Sequence, residues 1–458
     1  MGKESKSIRE LKHKARRYSI KEGIFASIKT GFGDHYISPF AIAINASNFM
    51  IAMLGSISGL LGPLSQMFGS KLMEKHSRKK IVIKLVFFEA LMWLPLILIA
   101  VLYYKNIIPN ILPILFLIAF SMYVIISNIP VPAWFSWLGD IVDEEFRGRW
   151  FSKRNIITGF ISGTFAIIAS FFLEYTKKQG MLLIGFAILF SIALIARLIS
   201  WRIYKKKYEP KIKLKRGYYF SFAGFLADGL KTNFGKFAVL KSLMNFAISI
   251  SAPLLAVYLL RNLELGYTSY IIISLAQGLY SILVMNLWGR FADKYGNYKI
   301  LYITSFLMPI IPILWILNKN PFYLIFVPSM IAGISSAGLN LATGNFIYDN
   351  VSKEKRGLAI SYYNMLNGIG IFLGAGLGAI LIKYLATAIE PIILIFIISG
   401  IARGIVAIWW IPQVREIRKT ERFDGKKAIK NLIFKDGKSI LIEEAHEIMS
   451  IKEYLREK

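Results

Sequence analysis

The sequence predicts an all-α integral membrane protein whose twelve transmembrane helices form two six-helix bundles related by pseudo-twofold symmetry. Of its 458 residues, 55% are hydrophobic, and the mean hydropathy is +0.52, which is too apolar for a soluble domain with a charged surface. The apolar residues fall into blocks of about twenty or more, each long enough to cross roughly 30 Å of hydrocarbon. Two charged strings also occur twice, half a chain apart, which indicates an internal duplication in the same direction.

Each apolar block is predicted to be a helix, because backbone polar groups in lipid must hydrogen-bond within their own segment. The predicted spans are 22–46, 48–73, 79–103, 109–140, 149–174, 179–204, 236–261, 267–292, 299–318, 321–349, 357–384 and 389–412. Gly31, Gly33 and Asp34 interrupt the first span, and Pro130 and Pro132 interrupt the fourth. No cleavable signal peptide is predicted, because the basic N-terminus leads directly into the first span.

These spans divide the chain into five segments. They are a basic N-terminus (1–21), an N-terminal six-helix bundle (22–204), a linker (205–235), a C-terminal six-helix bundle (236–412) and a charged tail (413–458). The linker stretch from Tyr218 to Leu226 predicts an amphipathic helix on the membrane surface. The tail predicts a hairpin that turns at Asp436-Gly437, followed by a helix from Ile442 to Arg456. It has too few apolar residues to bury a large core alone.

The net charge of +29 is distributed unevenly over the predicted spans. Roughly 45 of the 56 Lys and Arg residues fall in the N-terminus, the even-numbered loops and the tail, which places both termini in the cytoplasm by the positive-inside rule. A basic face against anionic lipid explains the charge without nucleic acid. The sequence has no cysteine, which excludes disulfides, thiol catalysis and cysteine-based metal sites.

The first duplicated string is a charged loop that lies between two apolar blocks. Residues 289–299 read GRFADKYGNYK, and residues 70–80 read SKLMEKHSRKK. The corresponding residues are Gly289 and Ser70, Asp293 and Glu74, and Lys294 and Lys75. A single loop of this kind would be only moderate evidence for a defined sequence motif. Two copies half a chain apart are strong evidence for one.

The second duplicated string opens the fifth and eleventh spans. Residues 140–159 and 349–368 match without a gap at a constant offset of 209. The matched pairs are Asp140 and Asp349, Glu145 and Glu354, Arg147 and Arg356, Gly148 and Gly357, Ser152 and Ser361, Asn155 and Asn364, and Gly159 and Gly368. So many coincidences indicate that the two halves are repeats of one unit.

The loop string resembles the G-x-L-A-D-R-x-G-R-K signature of the major facilitator superfamily of membrane transporters. The second copy departs from it where Asn297 and Tyr298 replace Arg-Lys, and the first copy departs from it at three positions. The resemblance implies two bundles that rock about a central solute site. It also implies that spans one, four, seven and ten line a cavity, while spans three and six are peripheral. The signatures of drug–proton antiporters and sugar porters are missing, so the resemblance stops at the superfamily.

The resemblance implies that the duplicated loops form a gate on the cytoplasmic side. Glu74 is expected to face the start of span eleven and Asp293 the start of span five, where a carboxylate meets the positive end of a helix. Arg147 and Arg356 open those spans and are the expected ionic partners. The other predicted gate residues are Lys75, Arg78, Asp140, Glu145, Gly289, Lys294, Asp349 and Glu354. Alternatively, these are solvated charges that only fix the topology.

Charged residues inside the spans mark candidate functional sites, because each costs roughly 2.5–3.5 kcal/mol at a helix centre on insertion scales. Asp34, beside His35 in span one, is the leading candidate for binding substrate or a proton. The alternative is a polar kink residue near the outer mouth. Lys29 is five residues earlier and is expected to lie not quite on the same helix face as Asp34. It is interpreted as a lysine whose side chain extends to the membrane–water interface. Glu89 and Arg197, at similar depth in spans three and six, predict a structural ion pair.

Four amide side chains are further candidates for lining the solute pathway. They are Asn128, Asn245, Gln277 and Asn340. Hydrogen bonds between helices are the alternative role for each of them. Arg403 repeats the position of Arg197, but span nine carries no matching acid.

The favoured function is secondary active transport of a small solute by alternating access, coupled to a proton or another ion gradient. The expected partners are the solute, the ion and a plasma-membrane bilayer with anionic lipids at its cytoplasmic face, and the protein is expected to be a monomer. No catalytic residue, cofactor or metal site is predicted, because the sequence has no phosphate loop and no paired metal ligands. The alternative is a transport-inactive sensor or scaffold that signals through its tail. A lipid-modifying enzyme is disfavoured.

Overall fold

The computed structural model describes residues 6–143, 146–210, 231–351, 356–385, 390–418 and 420. These residues are helical apart from short turns and connections, and they contain no strands. The predicted surface helix from Tyr218 to Leu226 and the predicted hairpin and helix of the tail lie outside the described residues.

The described residues form twelve helical segments, labelled α1 to α12. In the first half they are α1 (Lys6–Phe32, continued by Ile37–Ala43), α2 (Asn48–Leu72), α3 (Arg78–Leu91 and Trp93–Tyr104), α4 (Leu112–Asn128 and Val131–Ile141), α5 (Arg147–Lys178) and α6 (Leu182–Lys205). In the second half they are α7 (Asn233–Ser251, continued to Asn262), α8 (Tyr267–Tyr295), α9 (Asn297–Leu307 and Ile310–Leu317), α10 (Pro321–Phe326 and Pro328–Asn350), α11 (Arg356–Tyr384) and α12 (Pro391–Trp410).

The segments α2 to α12 are each long and apolar enough to cross a membrane, which gives eleven such helices among the described residues. This confirms the predicted all-helical membrane fold. The segment α1 falls outside that group because its uninterrupted helix ends at Phe32 and its last turns still carry Arg16, Arg17, Lys21, Glu22 and Lys29.

The helix α1 begins at Lys6, well before the predicted start at residue 22. Its basic residues have partners, since Lys12 Nζ lies 3.2 Å from Asp143 Oδ1 and Arg16 Nη1 lies 3.3 Å from Asp143 Oδ2. The same face of the helix is packed, with Ala15 and Ser19 buried. Packing of this face stabilises the helix where the sequence predicted only a basic N-terminus ahead of the first span.

Prolines explain the interruptions of several spans. The helix α4 ends at Asn128 and resumes at Val131 because Pro130 and Pro132 lack the N–H that a continuous helix requires. The helix α10 is likewise interrupted at Val327, before Pro328. The sequence predicted the first of these breaks.

The chain divides into two compact units, each formed by segments that are distant in sequence. One comprises Met1–Phe220, Asn245–Ile272 and Tyr363–Phe396, and the other comprises Ser221–Met244, Ile273–Tyr362 and Ile397–Lys458. The first unit has an aromatic core in which Phe40 packs against Phe116, Phe186 and Phe190. In the second unit Trp288 Nε1 donates to the Ile334 carbonyl at 2.9 Å. Parts of α7 and α11 therefore pack with the first half of the sequence.

Helix α2 approaches α4 through backbone at Gly69. A Cβ at this position would clash with the Ile129 carbonyl oxygen and lie 2.9 Å from the carbonyl carbon. The neighbouring atoms are backbone and cannot rotate away. Gly159 in α5, by contrast, has nothing within 4 Å of the position of a Cβ.

We expect Gly69→Ala to lower the free energy of unfolding by about 1–3 kcal/mol, because the added methyl group overpacks a backbone contact. Gly159→Ala, the matched control, is expected to leave stability unchanged or to raise it, since alanine is the better helix former. Thermal melts of both purified variants in one detergent check this. Equal melting temperatures for the two variants would contradict the close packing of α2 on α4.

Candidate functional site

The helix α1 breaks at Gly33, in the middle of the first span. The Gly33 N–H still donates to the Lys29 carbonyl at 2.8 Å, but the chain then tightens into a 3₁₀ turn over Asp34–Tyr36. The indole of Trp93 lies so close that a Cβ at residue 33 would come within 2.7 Å of Trp93 Cζ2. Only glycine fits here, and the break sets the direction in which Asp34 points.

Four charged side chains and one tyrosine meet next to this break. Lys29 Nζ donates to Asp34 Oδ2 at 2.8 Å and lies 3.4 Å from Glu89 Oε1. The Tyr123 hydroxyl donates to Asp34 Oδ1 and accepts from Lys29 Nζ at 3.2 Å. Arg197 Nη2 donates to Glu89 Oε2. We call Lys29, Asp34, Glu89, Arg197 and Tyr123 the charge network.

The prediction that Lys29 lies on a different face from Asp34 was wrong. It assumed a regular helix, in which residues five apart diverge. The 3₁₀ turn changes the winding and brings the Asp34 carboxylate back to Lys29 and to Thr30, whose hydroxyl donates to Asp34 Oδ2 at 2.9 Å. The predicted ion pair of Glu89 and Arg197 is present, and Lys29 extends it to Asp34.

The members of the charge network differ in their access to solvent. The side chains of Glu89, Lys29 and Arg197 are 3%, 9% and 11% exposed, whereas that of Asp34 is 31% exposed. Two cations and two anions make the network neutral, as burial requires. Asp34 is thus the member through which an otherwise buried network meets solvent.

Asp34 opens onto a cavity of about 460 Å³ in the first unit, a volume within the usual range of small-molecule sites. Apolar residues of α1, α2 and α4 form much of the wall, together with Pro253 of α7. Its polar residues are Asp34, Ser38, Ser58, Tyr123, Ser127 and Asn128. Asp34 is the one charged residue among those that line this cavity.

The other predicted pathway residues lie in different surroundings. Asn128 lines the cavity and accepts a hydrogen bond from Gln66 Nε2 at 3.0 Å. His35 points to α5, with Nε2 3.2 Å from the Ser162 hydroxyl. Asn245 Nδ2 donates to Asn367 Oδ1 at 2.9 Å. Gln277 and Asn340 are exposed.

The duplicated loops make the same contact in both halves. Arg78, at the start of α3, donates to Asp140 at the end of α4. At the matching positions, Asn297 Nδ2 at the start of α9 donates to Asp349 Oδ2 at 2.8 Å, near the end of α10. The substitution of Asn for Arg therefore replaces an ion pair by an amide hydrogen bond and leaves the connection in place.

Two glutamates outside the predicted gate add a second matched contact. Glu209 Oε1 accepts from the Lys79 N–H at 3.2 Å, and Glu416 Oε2 accepts from the Tyr298 N–H at 2.9 Å. Each glutamate follows the last helix of its half and caps the first turn of α3 or α9. The available signal was an acid a few residues beyond the last span of both halves.

The remaining predicted gate residues are less constrained. Glu74, Lys75, Asp293 and Lys294 are exposed, and a Cβ at Gly289 would meet nothing within 4 Å. Arg147 donates to the carbonyls of Gly139 and Val142 in its own half. Arg356 begins α11. Glu145 and Glu354 lie outside the described residues. The pairing of Glu74 and Asp293 with helix starts in the opposite half stays a prediction.

A second buried charge cluster joins α1, α5 and the end of α6. Glu22 Oε1 accepts from Arg154 Nη2 at 3.3 Å and lies 3.9 Å from Lys207 Nζ. Lys207 is fully buried, donates to the Ser19 hydroxyl at 3.2 Å and lies over the ring of Trp137. Burial lowers the pKa of Lys207 to about 8, although Glu22 partly opposes the shift. No group of three or more metal-ligating side chains occurs among the described residues.

In Arg197→Met, Glu89 loses its guanidinium partner in a buried setting, and the variant is expected to lose about 3–5 kcal/mol of stability. The double variant Glu89→Gln with Arg197→Met removes both charges and is expected to recover most of that loss. Detergent melts of the wild type, both single variants and the double variant measure the coupling. Additive losses in the double variant would rule out a stabilising ion pair.

The depressed pKa of Lys207 predicts a pH-dependent stability. In the unfolded chain the lysine titrates near its usual pKa of about 10.4, so the unfolded state binds more protons between pH 8 and that value. Stability is therefore expected to rise as pH increases through this window, by a few kcal/mol in total. Melting temperatures between pH 7 and 10 check this. Lys207→Met should flatten the rise, whereas Lys206→Met, an exposed neighbour, should keep it.

The comparisons with known proteins agree with this architecture. The family model of the Major Facilitator Superfamily matches residues 24–226 and 237–443, whereas no curated protein matches. A mutant of the nucleoside transporter NupG superposes with a TM-score of 0.67 at 14% identity, covering 87% of this chain and 100% of that one. A bacterial homologue of the iron transporter ferroportin gives 0.65 at 13% identity, covering 87% and 98%. A bacterial metal transporter gives 0.61 at 11% identity, covering 86% and 98%.

Identities this low show the shared fold alone. The family match covers both halves of the sequence and most of the chain, with its two parts separated in the linker. With the duplicated loops and the apolar helices, this establishes that the chain belongs to the Major Facilitator Superfamily, as a multi-pass membrane transporter of the kind that moves solutes across membranes.

Proposed function

We propose that this protein is a secondary active transporter of a small solute, driven by protons that bind reversibly to Asp34. The observation that carries the proposal is the position of that carboxylate. It lines a cavity of small-molecule size, and it shares its counter-ion, Lys29, with the buried Glu89. Charged groups inside a membrane are costly, and those that are retained often mark substrate or ion pathways.

The first step is protonation of Asp34 from the cavity. A neutral carboxyl group holds Lys29 less strongly than a carboxylate does, because the charge–charge attraction is lost. Lys29 has a second acceptor within reach, since its Nζ lies 3.4 Å from Glu89 Oε1. The proton on Asp34 is thereby coupled to the position of the Lys29 side chain.

Tyr123 and Arg197 restrict the movement of the Lys29 side chain to one direction, from Asp34 toward Glu89. The Tyr123 hydroxyl contacts both Asp34 and Lys29 and keeps the carboxylate oriented toward the cavity. Arg197 Nη2 donates to Glu89 Oε2, whereas Lys29 faces Oε1, so Arg197 keeps the buried acceptor in place. In this proposal Glu89 and Arg197 are positioning residues, and Asp34 is the group that exchanges the proton.

The solute binds in the same cavity, beside Asp34. Serine hydroxyls, the Asn128 amide and one carboxylate supply hydrogen-bonding groups, and the apolar wall supplies contact area. Rocking of the two bundles about this site completes the cycle. The predicted gate residues Glu74 and Asp293 act at the other end of the helices, where Arg78–Asp140 and Asn297–Asp349 brace the loops that carry them.

We further propose that the protein functions as a monomer in the plasma membrane with both termini in the cytoplasm, as its charge asymmetry indicates. The alternative function, a sensor that signals through the tail, depends chiefly on residues 421–458. These residues lie outside the described part of the chain.

Asp34→Asn is expected to abolish gradient-driven accumulation of solute, because an amide cannot take up the proton. Solute exchange in the absence of a gradient is expected to persist. Solutes are first identified by thermal stabilisation across a metabolite panel, since binding to the folded state raises the melting temperature. Proteoliposome uptake with and without a pH gradient then measures coupling for each solute that binds.

Glu10→Gln is the matched control, because Glu10 lies on the same helix but is exposed. It removes one carboxylate without touching the charge network, so its accumulation ratio should equal that of the wild type. Full gradient-driven accumulation by Asp34→Asn would refute Asp34 as the coupling site. A folded wild type that transports none of the solutes that stabilise it would refute the transport proposal itself.

A further inference from the structure

We propose that Glu174 and Arg261 form a reciprocal latch that holds the two halves of the sequence together at one end of the helices. This distal end carries the loops that follow the odd-numbered helices, at residues 44–47, 105–111, 179–181 and 263–266. Both residues belong to the first compact unit. Each is a charged side chain of one half that contacts backbone at a helix end of the other half.

Arg261 contacts the distal end of the first span. Its Nη2 donates to the Ala46 carbonyl at 2.7 Å, and its Nη1 donates to the Asn48 side-chain oxygen. The segment Ile37–Ala43 ends here in a cap, in which Asn45 takes the left-handed conformation at φ 55° and the Ala46 N–H donates to the Ala41 carbonyl at 2.9 Å. The unpaired carbonyls at such an end favour a cation.

Glu174 makes the complementary contact in the other direction. Its Oε2 accepts from the N–H of Tyr267, the first residue of α8, at 2.9 Å. A Cβ at Gly266 would come within 2.6 Å of Glu174 Oε1, so glycine at this position admits the carboxylate. The N-terminus of a long helix carries partial positive charge, which favours the anion.

Close backbone contacts lie next to the latch, between α2 and α11. The Ser56 hydroxyl donates to the Phe372 carbonyl at 2.9 Å, and a Cβ at Gly59 would lie 2.8 Å from the Phe372 N–H nitrogen. These contacts show that the halves approach to backbone distance in this unit. Opening of the distal end must therefore break the Glu174 and Arg261 contacts together with this seam.

The chemistry of the latch suits a contact that forms and breaks repeatedly. Each charge meets backbone dipoles and not an opposite charge, so neither side chain leaves a buried counter-ion behind when the contact opens. Hydrogen bonds to charged groups are also lost over a small displacement. The latch therefore stabilises the distally closed state without preventing the transition.

A cysteine reporter can measure the equilibrium directly, because the chain has no cysteine of its own. Ser58 is exposed to the cavity. The rate at which a thiol reagent labels Ser58→Cys therefore reports the side of the membrane to which the cavity is open. A charged, membrane-impermeant methanethiosulfonate is added to intact cells and, separately, to inverted vesicles. Glu174→Ala and Arg261→Ala are each expected to raise the labelling rate from the distal side by about tenfold, and to lower it from the other side.

The double variant is expected to combine both shifts, since the two contacts stabilise the same state. Lys105→Ala is the control, because it removes an exposed charge at the same end from outside the helices that carry Glu174 and Arg261. Glu174→Gln keeps an acceptor but loses the charge, and should give a smaller shift if the variants with Ala prove unstable. Labelling rates equal to those of the reporter alone, in variants with an unchanged melting temperature, would overturn the latch. The assay measures accessibility of the cavity and not transport, so this failure would leave the Asp34 proposal untouched.

Discussion

The arrangement of the first half depends on one requirement, that three buried charges and the partly exposed Asp34, set among apolar helices, must neutralise one another. Lys29 lies between Asp34 and Glu89, and Arg197 supplies the second positive charge, so the four charges sum to zero. The distances require that α1, α3 and α6 meet at one depth and that α1 break where Asp34 must turn. The Gly33 break, the packed Trp93 and the Tyr123 hydroxyl are all consequences of fitting these charges together. Removing a single partner leaves a charge in low dielectric, which is why the network acts as a unit.

The internal duplication preserved contacts more faithfully than residue types. At the duplicated loops the ion pair of Arg78 with Asp140 reappears as the hydrogen bond of Asn297 with Asp349, and Glu209 and Glu416 cap corresponding turns. Within the described residues, the charge network has no such twin. Arg403, which repeats Arg197 in the sequence, donates to the Met308 carbonyl at 3.2 Å. The scaffold is therefore symmetric, whereas its titratable chemistry is concentrated in the first half.

The sequence predicted what depends on composition and pattern. Apolar length identified the spans, and prolines identified the break in α4. One acid and one base at similar depth predicted the pair of Glu89 and Arg197. It could not predict what depends on backbone direction. The turn at Gly33 brings Lys29 back to Asp34 against helical spacing, and Tyr123 enters the site through a hydroxyl that carries no charge to attract attention. The burial of Lys207 does not show in the sequence, because it depends on which loops the fold places side by side. The caps by Glu209 and Glu416 did have a signal, the acid that follows the last span of each half.

One short segment joins the proposed proton site to the proposed latch. Asp34 opens the 3₁₀ turn that leads into Ile37–Ala43, and the carbonyl of Ala46, three residues beyond that helix, accepts from Arg261. The segment spans roughly 15 Å at 1.5 Å per residue, and its aromatic residues Tyr36 and Phe40 are fully buried. It is thus a short, packed element with a titratable group at one end and a breakable contact at the other. Two sites can bias one equilibrium through such an element, provided that it has two discrete positions. In these proposals, protonation of Asp34 weakens its contact with Lys29 at one end of this backbone segment, and the latch holds the other end. The segment is therefore the physical route, within the first unit, that couples proton binding to the latch.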